Sequence, residues 1–217
     1  MPNIGGYMEK ITLQQVQTIV RTMAKTAEDN EEYFSELDGV MGDADFGVSL
    51  AAGFRSVMSK WDSYDMTSIG SFLLNVTSVI TSSTGGCSGP VWGTLFMRCG
   101  MAFRDKTEIT LEEASAGLKS SIEGIMKRGG AHLGDKTLLD AFQAIVESFD
   151  KADKNGTLME ALEAAADAAY ETREITKSWI AKRGRQSFTG ERSIGTYDPG
   201  IVAVGDMAKA IVEALKA

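Results

Sequence analysis

Histidine is almost missing from this chain of 217 residues: His132 stands alone. One imidazole is too little for a Ser-His-Asp triad, and a surface loop position is expected for it. Proline is equally scarce, and Pro2, Pro90 and Pro199 all avoid the stretches with helical periodicity. Cysteine is limited to Cys87 and Cys99, which are expected as reduced thiols. The start, MPNIGGYMEK, has no apolar core of the signal-peptide kind. No apolar run approaches the roughly 18 residues that span a bilayer. A cytoplasmic protein with no membrane association is therefore expected. Basic charge is short as well: 22 Lys and Arg face 30 Asp and Glu, a net charge of -8. That balance disfavours nucleic acid as a partner, and an anionic ligand would need a metal or a placed arginine. Finally, few stretches alternate with period two, and none has the hairpin turns of a sheet protein.

What remains is a helical pattern. With 43% hydrophobic residues the chain can bury a sizeable core, and one domain over residues 1–217 is expected. Thr12-x-x-Gln15, Thr110-x-x-Glu113 and Thr157-x-x-Glu160 each read as a capping box opening a helix. The first helix runs towards the acidic segment Glu28–Glu32, and its exit or a short further turn delivers Asp38. Apolar periodicity predicts further helices over Val48–Trp61, Ile69–Thr81, Val91–Phe103 opened by Pro90, Leu111–Arg128 and Leu138–Phe149. The longest is predicted from Leu158 to about Lys182, and the last over Ile201–Leu215, with Asp198 as N-cap and Pro199 as first residue. The fold class is all-α: an antiparallel bundle or barrel of about eight helices with an active face of loops at one end.

The most informative stretch is Leu37–Gly47, LDGVMGDADFG, with three carboxylates in one short segment. On a continuous helix, at about 100° per residue, Asp38 and Asp45 would share a face while Asp43 pointed away. Convergence needs the helix broken, a task that falls to Gly42 and Gly47. Three converging carboxylates repel unless a cation sits among them, and all-oxygen ligation favours magnesium. The plainer alternative is that acidic residues beside glycine cap helices or turn loops. A calcium loop fails on its residues: Val48 stands where that loop requires glycine, and Phe54 where it requires glutamate.

Three other loops concentrate glycine and small hydroxyl residues. Ser82–Pro90, SSTGGCSGP, offers approachable N–H groups and a following helix N-terminus, suiting either a phosphate cradle or a tight turn. Pro90 excludes a serine-hydrolase elbow, and Cys87 reads as a small filler before it reads as a nucleophile. Gly129–Thr137, GGAHLGDKT, nearly matches a Walker A loop, but Asp135 intrudes before Lys136 and no strand precedes it. Asp135 is expected instead to cap a helix beginning near Lys136. In Gly184–Gly200, GRQSFTGERSIGTYDPG, Arg185 is a better phosphate contact than Arg192, though either would also serve as a loop salt bridge.

Taken together, LDGVMGDADFG, GGCSGPVWGTLF, GGAHLGDKTLLDAF and GRQSFTGERSIGTYDPG resemble the nucleotide-binding L subunits of bacterial dihydroxyacetone kinase, in the form driven by the phosphoenolpyruvate phosphotransferase system. The resemblance runs from Leu37 to Gly200. It implies an eight-helix barrel whose loops hold ADP and two magnesium ions, with Asp38, Asp43 and Asp45 as metal ligands. It places Phe46, Gly47, Val48, Ser49, Cys87, Ser88, Gly129, Leu138, Arg185, Asp198, Pro199 and Gly200 around the nucleotide, with Arg185 as the catalytic side chain. One departure is Phe46, where relatives often carry histidine; its side chain can pack but cannot hydrogen-bond. The implied activity is a relay in which bound ADP is charged to ATP by a phosphohistidine-carrying M subunit. The γ-phosphoryl then passes to dihydroxyacetone held on a separate K subunit. Two other functions share these features: the nucleotide domain of a fatty-acid kinase, disfavoured by the GERSIGTYDPG loop and the short chain, and a nucleotide-dependent module that binds a transcription regulator.

Overall fold

A computed structural model describes residues 9–217; the first eight, including most of MPNIGGYMEK, lie outside the described residues. Helix α1 spans Leu13–Asp29, α2 Glu31–Gly39, α3 Phe46–Ser59, α4 Ile69–Ser83 and α5 Ser88–Phe103. They are followed by α6 Leu111–Gly129, α7 Leu138–Lys151, α8 Leu158–Lys177 and α9 Pro199–Lys216. The three expected capping boxes all form, each with threonine oxygen accepting from the backbone three residues on. A fourth joins Thr137 and Asp140 at the start of α7. It displaces the cap expected from Asp135, whose carboxylate instead accepts from His132 N at 2.8 Å.

Packing follows chain order and then closes. Each of α3 to α9 lies against the next, α1 lies against α3, and α9 returns to α1, making a ring of eight helices. The expected all-α barrel is therefore present, with α2, a short ninth helix among the described residues, packed on α3 and α9. The apolar stripes meet inside the ring, where Phe54, Trp92, Phe96 and Phe142 interlock edge-to-face, Phe54 and Trp92 with centroids 5.8 Å apart. A cavity of about 220 Å³ remains within it, bounded by side chains such as Trp92, Phe142 and Met207. None of its lining residues is charged, so a phosphate has no partner there.

The two ends of the ring differ. At one, β1 (Ile11–Thr12) pairs antiparallel with β2 (Glu108–Ile109), a ladder too short for its sequence to show an alternating signal. There Leu13 N donates to Thr107 O at 2.8 Å, and Gly70 N to Arg104 O at 3.0 Å, tying the connections together. At the other end lie the four glycine-rich loops, following α2, α4, α6 and α8. Several boundaries differ from the periodicity. The helix expected to reach about Lys182 stops at Lys177, and Arg185–Ser193 forms 3-10 turns kinked at Gly190. Pro90 does not open its helix: α5 begins at Ser88, and the proline fits inside the first turn, where its missing N–H costs nothing.

Candidate active site

The acidic loop is built by a close helix pair. Gly47 lies inside α3, and a Cβ there would stand 2.0 Å from Glu31 O, so its bareness lets α3 meet α2 backbone to backbone. Gly42 likewise admits the Asp38 side chain, whose Oδ1 lies 2.3 Å from where a Cβ would be. The chain reversal itself falls to neither. Ala44 makes it, with φ 60 between the second and third aspartates. A left-handed alanine costs about 1 kcal/mol, a strain retained because it turns Asp43 and Asp45 towards Asp38.

The result is a cluster: one carboxylate oxygen from each of Asp38, Asp43 and Asp45 lies within 4.8 Å of the others. Asp38 is buried, and its Oδ2 accepts from Asp45 N at 3.1 Å and Phe46 N at 3.4 Å, the amides of the N-cap and first residue of α3. Asp43 and Asp45 are exposed. Burial raises the Asp45 carboxyl above its ordinary value and the Asp43 charge raises it further, while Arg185 opposes both. From the fourth loop, Arg185 Nε reaches Asp43 Oδ1 at 2.7 Å, and its Nη2 lies 4.0 Å from Asp45 Oδ2. An acid trio answered by one guanidinium fits a divalent cation: the oxygens are hard donors, and their repulsion is only partly relieved. Phe46 turns its ring edge onto the buried Phe34 at 6.4 Å, so packing and backbone are what it contributes.

The remaining expected residues fall into two groups. Val48 and Ser49 extend the first turn of α3, and Ser49 Oγ lies close under Gly85 of the second loop. That loop ends in exposed Cys87, the residue preceding α5, and buried Ser88. On the other side Gly129 ends α6 with open space beside it, and Leu138 and Gly200 meet at the starts of α7 and α9. The fourth loop links the groups, carrying Arg185 near one end and Asp198-Pro199-Gly200 at the other. Arg192 is exposed at the end of the same 3-10 segment, and His132 is exposed, with Nδ1 3.8 Å from Asp135.

Residues 40–213 match the DAK2 domain over most of the chain. The chain belongs to the DAK2-domain family. Its relatives include the ADP-binding subunit DhaL of the PEP-dependent dihydroxyacetone kinase of Escherichia coli K12, 38% identical over 85% of this chain and 89% of that protein. The corresponding subunit of dihydroxyacetone kinase 2 of Listeria innocua is 34% identical over 91% of this chain and 93% of its own. These place the chain among the dihydroxyacetone kinase L subunits, and so among the phosphotransferases. In structure, the native dihydroxyacetone kinase of C. freundii superposes with a TM-score of 0.73 at 24% identity, which bears out the barrel. The same kinase in complex with AMP-PNP and Mg2+ gives 0.71 at 25% identity. This chain is covered to 98% in both, and spans 36% of that longer chain.

Within this DAK2 domain the Asp198 carboxylate is electrostatically unusual. It caps α9, accepting from Ile201 N at 2.9 Å, yet burial pushes its pKa up from 3.8 to about 7, with nearby Asp140 adding to the rise. Lys136 and the cap bonds oppose that rise. A folded-state pKa above the unfolded one means that the folded protein holds the proton more tightly. The contribution of this carboxyl to stability is then full below about pH 4 and is lost as pH rises through 7. Asp198→Asn keeps a capping oxygen without the charge. It is expected to stabilise the protein by about 2 kcal/mol at pH 8 and to leave it unchanged at pH 4, as denaturant titrations at the two pH values would read.

Proposed function

We propose that this chain is the nucleotide-carrying subunit of a dihydroxyacetone kinase, holding ADP as a resident cofactor and passing on its γ-phosphoryl once recharged. The observation that carries the reading is the trio Asp38, Asp43 and Asp45 gathered at the N-terminus of α3 with Arg185 beside it. Those aspartates would hold two magnesium ions, which when bound neutralise phosphate charge. The first amides of α3, at Phe46, Gly47, Val48 and Ser49, point their helix dipole at the same place. Cys87, Ser88, Gly129, Leu138, Asp198, Pro199 and Gly200 would enclose the rest of the nucleotide. Arg185 is the catalytic side chain: its exposed guanidinium pairs with Asp43 and, once metal charge replaces it there, is free to grip a transferring phosphoryl group.

The chain's residues do little covalent work. When bound, ADP would accept a phosphoryl group from a phosphohistidine on a separate M subunit and, once recharged, would supply it to a hydroxyl of dihydroxyacetone on a K subunit, where a base would take the hydroxyl proton. What this chain provides is alignment and charge compensation. A cytoplasmic, phosphoenolpyruvate-driven system supplies the donor, and residues 1–217 act as one domain.

Two measurements test the reading. Acid denaturation of freshly purified protein should release close to one adenine nucleotide per chain; an empty supernatant would count against a resident cofactor. Turnover with purified K subunit, phosphohistidine donor and dihydroxyacetone should vanish when any one is left out. Product formed without the donor protein would defeat the relay.

A further inference from the structure

The near-miss Walker lysine has a different occupation. Lys136 is fully buried, and its backbone is left-handed, with φ 61. A lysine with that backbone, inside the protein, combines two unfavourable choices. Burial lowers the pKa of its ammonium, and the nearby Asp198 charge opposes the change. Methionine would fill the same volume without either charge or desolvation cost, so the ammonium must be used for something.

Its partners identify the use. Lys136 Nζ donates to Ser193 O at 2.7 Å and to Trp179 O at 3.1 Å. Those two carbonyls lie on opposite flanks of the segment that carries Arg185. Around them Ala181 N donates to Ser193 Oγ at 2.9 Å, and Gly195 N to Lys177 O at 2.8 Å. The third loop adds Asp135, whose carbonyl accepts from Lys182 N at 3.0 Å and whose carboxylate pairs with Arg183 Nε at 3.4 Å. The fourth loop is thus a bight drawn shut at its neck, and one ammonium from the third loop ties the knot. Beyond the neck, Arg185 extends to Asp43 with a side chain 61% exposed, so its aim depends on where its backbone is held.

We propose that Lys136 is a positioning residue for phosphoryl transfer: by clamping Trp179 and Ser193 together it fixes the backbone from which Arg185 reaches the reacting phosphate. The inference rests on the catalytic role proposed above for Arg185. Lys136 itself touches no reacting atom.

The experiment is a double-mutant cycle in the assembled kinase, with kcat, the KM for the substrate-loaded K subunit and ADP retention measured for K136M, R185A and the double variant. K136M is expected to lower kcat roughly 10–100-fold with KM and ADP retention near native, since a misplaced group costs rate before binding. In the R185A background the same change should cost less than about threefold, because the residue it positions is gone. Losses that multiply independently would overturn the proposal, as would native kcat in K136M. Amide exchange over residues 182–193 gives a readout independent of turnover: it should quicken in K136M while the helices keep their protection, and unchanged exchange there overturns the clamp. Where K136M does not fold, K136Q, which retains a donor but not the reach, takes its place. If R185A alone leaves turnover native, the reading of Arg185 fails, and the exchange measurement still decides whether Lys136 holds the neck.

Discussion

Asp43→Asn is expected to cut phosphoryl transfer by about 10³-fold while leaving the helical circular-dichroism signal intact. The side chain is exposed, and its pair with Arg185 is of the surface kind that contributes under about 1 kcal/mol. Its removal also relieves Asp45, whose carboxyl is held high by burial and then by the Asp43 charge. Without metal, the variant should therefore be as stable as the native chain. The difference should appear on adding magnesium and ADP to protein first stripped of bound nucleotide. A ligand at 100 times its dissociation constant stabilises by about 2.7 kcal/mol, a rise in Tm of about 5–10 °C for a chain of this size. The native protein should show that rise and Asp43→Asn should not. Equal shifts in the two proteins would remove Asp43 from the metal site.

Gly47→Ala should be among the most damaging single-methyl additions at the described glycines. Its Cβ would lie 2.0 Å from Glu31 O, 2.5 Å from Ser35 Oγ and 2.8 Å from Ser35 N, so the backbone of α2 must retreat. Overpacking of that kind costs about 3 kcal/mol, or roughly 10 °C in Tm. Because α2 carries Asp38, the retreat should also weaken magnesium-dependent nucleotide binding by more than tenfold. Gly129→Ala is the control for thermal stability: nothing lies within 4 Å of the added Cβ, and its Tm should stay within about 2 °C of native. A Gly47→Ala protein as stable as that control would refute the close α2–α3 contact.

The parts of this architecture legible in the sequence are those encoded locally. Threonine followed three residues on by glutamine or glutamate marked three helix starts, and the glycine-rich loops stood out between apolar stripes. The fourth box lacks that signature, because Asp140 stands where glutamine or glutamate is usual. The aspartate trio was visible as composition, but the means of gathering it was not. Glycine is the expected turning residue, whereas here alanine turns the chain, and the glycines serve close approach instead. That assignment depends on what lies opposite each residue in space. Lys136 was hidden for the same reason: its partners are carbonyls 43 and 57 residues away, and carbonyls have no sequence signature.

The small ladder at the closed end has a practical corollary. Leu13, at the head of α1, is bonded there, and Lys216, near the tail of α9, pairs at 3.0 Å with Glu163 in the opening turns of α8. Leu13 and Lys216 thus both lie at the end of the ring opposite the four glycine-rich loops. A tether attached near either of these points, to a bead, a sensor chip or another folded unit, would leave the glycine-rich loops facing outward.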